Sequence, residues 1–233
     1  MEVLRLPILT RELSEELVEH QNFELIDAAL AQGKGAILVA SHMDNVDLAG
    51  CSMSVRGLPM TVVAKQVSWK PGAEFIVAVR EATGVTLIPT RRSTAMIQQL
   101  LAENKIVTLV IDQHLRQRHA IVCRFFDQLV STSHAPVRFA AEADVPLLAG
   151  VAYRKGMSRY HVLRVENVGL EHPYDDAVEN VRHNTERINR IVERWIREFP
   201  EQWLWPHRRF KVQDDPRGWE IPPALRSRVT DDS

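Results

Sequence analysis

Cysteine is scarce in this chain. Only Cys51 and Cys123 occur in 233 residues, with no Cys-x-x-Cys pair. That excludes a disulfide framework and fits a reducing compartment, and both thiols read as small buried hydrophobes. Long apolar runs are missing as well. The longest, Ala36–Ala40, Ile106–Ile111 and Val145–Tyr153, fall far short of the roughly 20 residues that cross a bilayer, so no spanning helix is expected. Neither sign of charge is in excess: 29 Lys+Arg stand against 30 Asp+Glu. Bulk electrostatics therefore points to no nucleic-acid or acidic partner, and any charge recognition is local. The opening segment Met1–Thr10 carries acidic Glu2 and too short an apolar core for a secretory signal. There is no internal repeat.

What is present is the composition of a folded protein, 45% apolar and 25% charged, in a chain long enough for one α/β domain with a core of its own. Residues 1–213 are read as that domain, and the Pro- and charge-rich stretch 214–233 as a loosely ordered tail. A helix over Arg11–Gln32, closed by Gly33-Lys34-Gly35, precedes a strand at Ala36–Ala40. Asp44 or Asn45 caps a helix reaching Val55, and a second strand follows at Thr61–Ala64. Pro71 opens a helix that ends at Thr83 before Gly84, leading to a strand at Val85–Pro89. Ser93 is expected to cap Thr94–Asn104, and the β-branched run Ile106–Ile111 suits a central parallel strand. A basic loop (His114, Arg116, Arg118, His119) leads to Ile121–Phe126 and a turn holding Ser131, Thr132 and Ser133. A helix at Ala135–Ala143, strands at Val145–Tyr153 and Tyr160–Glu166, and a long helix at Asp176–Glu198 stopped by Pro200 complete the chain. Such alternation predicts a mostly parallel central sheet with helices on both faces.

Ligands of open α/β sheets collect at the carboxyl ends of the strands. Three polar groups fall at such ends: His42 with Asp47, Arg91-Arg92, and Asp112-Gln113. His42 and Asp47 are separated by about 1.4 helical turns and cannot share one face of a regular helix. With His42 in the turn and Asp47 on the first helical turn, the carboxylate accepts one ring N–H and leaves the other nitrogen as a base. Three mechanisms fit those residues. His42 deprotonates a substrate hydroxyl that attacks a thioester directly, with no protein nucleophile. Alternatively Cys51 is a nucleophile with His42 as its base. In the third, His42-x-Asp44 is half of a zinc site of the aminoacylase type, which needs further ligands including a downstream Glu-Glu pair; the only adjacent glutamates, Glu15-Glu16, lie upstream.

His42-Met-Asp-Asn-Val-Asp47 is a His-x4-Asp box, and it has ordered companions. These are Gly84-Val-Thr-Leu-Ile-Pro89 with following arginines, Ile111-Asp-Gln113, Phe125-Phe126 with Thr132, Ala135-Pro136, Val145-Pro146, and Pro200-Glu-Gln-Trp-Leu-Trp-Pro-His-Arg-Arg-Phe-Lys211. Together, over residues 35–211, they resemble the lysophospholipid acyltransferase superfamily and, within it, the bacterial lipid A late acyltransferases. The resemblance implies a glycerol-phosphate-acyltransferase-like fold. It also implies an O-acyltransferase of lipid A, lipopolysaccharide or related membrane glycolipid synthesis, which takes an acyl chain from acyl carrier protein or coenzyme A to a lipid hydroxyl. His42 would be the general base and Asp47 its partner. Arg91 and Arg92 would hold phosphate, Asp112 and Gln113 would also contact substrate, and neither metal, cofactor nor acyl-enzyme would take part. The dense run His207-Arg208-Arg209-Lys211, beside Trp203 and Trp205, either binds phosphate or the headgroup layer, with Arg208 and Arg209 as the substrate contacts, or closes the domain structurally. The expected location is peripheral, at the membrane surface on the cytoplasmic face of the bacterial inner membrane, with no nucleic-acid partner. Three departures stand out: no N-terminal spanning helix, Asp47 where many members have Glu, and Asp127 where members have Gly after the Phe-Phe pair. The rival from another class is a catalytically silent lipid-binding or accessory protein on the same fold.

Overall fold

The computed structural model describes residues 2–64, 70–115, 120–207 and 209–212. The 214–233 tail, Arg116, Arg118, His119 and Arg208 lie outside these residues. After a 3-10 helix at Glu2–Ile8, the elements run α1 (Arg11–Leu17), β1 (Val18–Gln21), α2 (Glu24–Leu30), β2 (Ala36–Ala40), α3 (Val46–Val55), β3 (Met60–Ala64), α4 (Lys70–Glu81) and β4 (Thr86–Pro89). They continue through α5 (Thr94–Ala102), β5 (Ile106–Val110), β6 (Ala120–Phe125), β7 (Gln128–Ser133), α6 (Ala135–Ala143), β8 (Leu147–Arg154), β9 (His161–Asn167) and α7 (Ala177–Glu198). Seven strands form one sheet in the order β1-β9-β8-β2-β5-β3-β4. Every neighbouring pair in it is parallel except β8 with β9.

The unbroken apolar character of β2 and β5 follows from their central place. Ile37, Val39, Val107 and Leu109 point to one face, where Ile97, Leu101, Phe139, Ile188, Val192 and Trp195 from α5, α6 and α7 cover them. Ala36, Leu38 and Ile106 point to the other, against Ile26, Ala29, Leu48 and Met53 from α2 and α3. With both faces covered, the usual alternation of apolar and polar residues disappears. Asn45 caps α3, its side chain accepting from the Leu48 N–H at 3.0 Å, and Asp176 caps α7 through the N–H groups of Val178 and Glu179.

Three expectations need correction. The segment 11–32 is not one helix: residues 18–21 pair in parallel with His161–Arg164 of β9, and Asn22 turns the chain with φ 60°. The open edge of β9 supplies hydrogen bonds that a helical continuation would forgo, and tertiary pairing overrides local periodicity. Ser131, Thr132 and Ser133 are not a turn but part of β7, which pairs antiparallel with β6 across Phe126-Asp127. Both of these residues are left-handed, φ 49° and 60°, which suits a two-residue hairpin. Asp127 thus takes the conformation that glycine would take; Asp tolerates it because its short polar side chain can bond locally. Ser93 precedes α5 but makes no side-chain cap bond.

The turn entering β2 depends on glycine. Gly35 has φ +75°, and a Cβ there would sit 2.5 Å from the Lys105 carbonyl oxygen and 2.8 Å from that of Leu101. Gly33 has φ +72° but open space around it. Gly35→Ala is therefore expected to destabilise the fold by about 2 kcal/mol or more, and Gly33→Ala by only about 1 kcal/mol, the left-handed cost alone. Urea midpoints of the two variants measure the difference. Among the described residues no helix is long and apolar enough to cross a membrane.

Candidate active site

Strand register builds the site. β2 and β5 are parallel neighbours with Ala40 opposite Val110, so running two residues beyond each strand brings His42 alongside Asp112. The His42 Nδ1–H donates to Asp112 Oδ1 at 2.6 Å, and the His42 backbone N–H donates to Oδ2 at 2.7 Å. An ionised carboxylate only accepts, so the proton between them belongs to Nδ1. The indole Nε1–H of Trp203 adds a third bond, 2.8 Å to Oδ2. Asp112 is 4% exposed. Burial pushes its carboxyl upward, but the bonds from His42 and Trp203 outweigh that, and the group lies below the usual carboxylate range. On the other side of the ring, the Gln113 amide Nε2 lies 3.2 Å from His42 Nε2, and the His42 side chain keeps 29% of its surface exposed.

Asp47 is not the acid that holds this ring. It sits on the first turn of α3, and its Oδ1 accepts from Arg80 Nε of α4 at 2.6 Å. The ring instead turns toward the neighbouring strand end. The His42-x-Asp44 pair is split as well. Asp44, at φ 43°, accepts from the buried His161 Nδ1 at 2.5 Å and lies 3.6 Å from Arg154 Nη2. Burial raises the Asp44 carboxyl, but the His161 bond prevails and lowers it. Cys51 is buried in the apolar layer beneath α3, and burial pushes its thiol up, the reverse of an activated nucleophile.

Arg91 and Arg92 are exposed just past β4, the edge strand. They lie three strand spacings from β2, roughly 14 Å at the usual separation. Arg209, expected to face substrate, is 1% exposed. Its guanidinium donates to the carbonyls of Ser131 and Gln113 and to Thr132 Oγ1, and stacks 5.1 Å from the Phe125 ring. Burial lowers it to about 10, and its partners are protein groups of the hairpin and the β5 end. Two residues to which motif reading gave no place in the site matter here, Trp203 and Arg80. The dense Trp-x-Trp segment signalled the first; no local signal marks the second. Beside the His42 turn a cleft of about 580 Å³ is lined by Asp44, Asn45, Val46, Asp47, Arg154, Glu201, Gln202, Val3 and Gly156.

The bacterial lipid A biosynthesis acyltransferase family matches residues 1–212, nearly all of the described chain. The chain belongs to this family. It is also similar to curated proteins: 29% identical over 153 residues to the phosphatidylinositol mannoside acyltransferase of Mycobacterium tuberculosis (strain H37Rv), covering 63% of this chain and 48% of that protein. To the phosphatidylinositol mannoside acyltransferase of Mycolicibacterium smegmatis it is 25% identical over 150 residues, covering 63% and 49%. The matched region thus spans about half the length of these relatives.

Proposed function

We propose that this member of the family is an O-acyltransferase that moves a fatty acyl chain from a thioester donor to a hydroxyl of a glycolipid. The observation that carries the reading is the His42 ring, held through Nδ1–H by a buried carboxylate at the mouth of the sheet, with Nε2 on the partly exposed side 3.2 Å from the Gln113 amide nitrogen. In the reaction the acceptor hydroxyl displaces the Gln113 amide from Nε2 and gives up its proton there. The oxygen attacks the thioester carbonyl, the tetrahedral adduct expels the thiolate, and the imidazolium returns the proton to the departing sulfur. Asp112 stabilises the imidazolium while it lasts. No protein nucleophile is needed.

Asp47 and Arg80 then serve the acceptor rather than the ring, since Asp47 lines the adjoining cleft. Arg91 and Arg92, exposed past β4, offer guanidinium groups for a phosphate of the donor or the acceptor. The names of the relatives favour a glycolipid as acceptor, in the lipid A group or of the mannoside type. The donor is an acyl thioester of acyl carrier protein or coenzyme A. Leu204 and Trp205, exposed next to the His42 turn, suit contact with the membrane surface on the cytoplasmic side.

Incubation of the purified chain with radiolabelled acyl-carrier-protein and acyl-CoA thioesters and a panel of glycolipid acceptors tests the reading. Acylated lipid and free thiol in equal amounts are expected. Retention of label without product would identify a silent lipid-binding protein instead.

A further inference from the structure

Asp112 has two oxygens, and nothing in its own side chain decides which one meets the imidazole. The decision comes from the closing segment. Met43 and Trp203 form an antiparallel bridge, the Asp44 N–H donates to the Gln202 carbonyl at 2.8 Å, and the Leu204 N–H donates to that of His42 at 3.0 Å. These backbone bonds place the Trp203 ring, which is 5% exposed and packs against Phe125 and Trp205. Its Nε1–H reaches Asp112 Oδ2, the oxygen already bonded to the His42 backbone N–H. With Oδ2 held by two donors, Oδ1 is left to face the ring at 2.6 Å.

We propose that Trp203 is a positioning residue for the His42 base: its indole N–H pins one oxygen of Asp112, so that the other fixes the imidazole with the proton on Nδ1 and Nε2 bare. The inference rests on the reading of His42 as the base, and it makes the segment that closes the fold part of the catalytic unit. A merely structural Trp203 would fill space, and phenylalanine would fill most of the same space.

The test is Trp203→Phe, read by 15N NMR of the His42 ring nitrogens and by steady-state acyl transfer. The wild type is expected to show one tautomer protonated at Nδ1, and the variant, whose Asp112 still accepts there, the same tautomer with a weakened Nδ1–H···Oδ1 bond, read as a shifted Nδ1 resonance. In the variant kcat is expected to fall about 10- to 100-fold, the worth of one hydrogen bond to a charged group, with KM changed less than about twofold. Should the phenylalanine variant fail to fold, a benzothienylalanine at position 203 keeps the indole outline, replaces N–H with sulfur, and is read in the same way. An unchanged Nδ1 resonance together with an unchanged kcat would overturn the proposal. A shifted Nδ1 resonance in a chain that acylates no acceptor even as wild type would leave the positioning intact and sink the acyltransferase reading instead.

Discussion

Alanine in place of His42 is expected to lower acyl transfer by about 10²- to 10⁴-fold, the usual worth of a positioned general base. The loss should fall on kcat, because the ring touches the proton in flight and contributes little to holding either substrate. The fold should survive. Asp112 keeps two of its three donors, the His42 backbone N–H and Trp203 Nε1–H, and the lost side chain is partly exposed. Circular dichroism melting and single-turnover transfer, measured on one preparation, check both halves. Normal turnover in a folded His42→Ala protein would remove the basis of the mechanism.

Asp112→Asn should cost nearly as much, for a reason the hydrogen-bond geometry makes specific. The position of Oδ2 receives two N–H donors, so the amide oxygen of an asparagine must occupy it. Its NH₂ group then faces Nδ1 and can only donate there, which forces the imidazole proton onto Nε2. The base is lost without any change of shape, and a drop of about 10³- to 10⁴-fold is expected, as for other histidines locked in the wrong tautomer. The same substitution changes acid stability. Because the folded Asp112 carboxyl lies below its ordinary value, its contribution is present above the unfolded carboxylate range, near 3.9, and is lost as pH falls through the folded value. The variant should therefore show a flatter loss of stability in acid, read from urea midpoints between neutral pH and about pH 3. Asp47→Asn is the control. Its carboxylate bonds Arg80 and not the ring, so the His42 tautomer should remain as in the wild type.

These two variants mark where reading by motif stops. The box His42 to Asp47 was visible, as was Asp112-Gln113 at a strand end, and both do lie at the carboxyl edge of the sheet. Motif spacing nevertheless joined His42 to the wrong acid. Proximity in sequence favoured Asp47, while the true neighbour is 70 residues away and becomes one only because β2 and β5 are adjacent. Arg209 misled in the same manner. A guanidinium in a run of charge suggests substrate contact, but the Phe125 face and the carbonyls of the hairpin took it into the interior. The hairpin itself was missed because Phe126 and Asp127 lack the glycine that usually marks a two-residue turn.

By itself the sequence determined the layers of this protein: apolar β-branched runs too short for a membrane, most of them followed by a helix, can bury themselves only as a covered, mostly parallel sheet. It also determined which polar residues stand at the strand ends. Which of them touch was decided by tertiary structure alone. Strand order brings β5 beside β2, and the bridge from Met43 to Trp203 brings an indole to the same carboxylate. Hydrogen bonds act over about 3 Å, and no periodicity along the chain carries information at that range between residues so far apart.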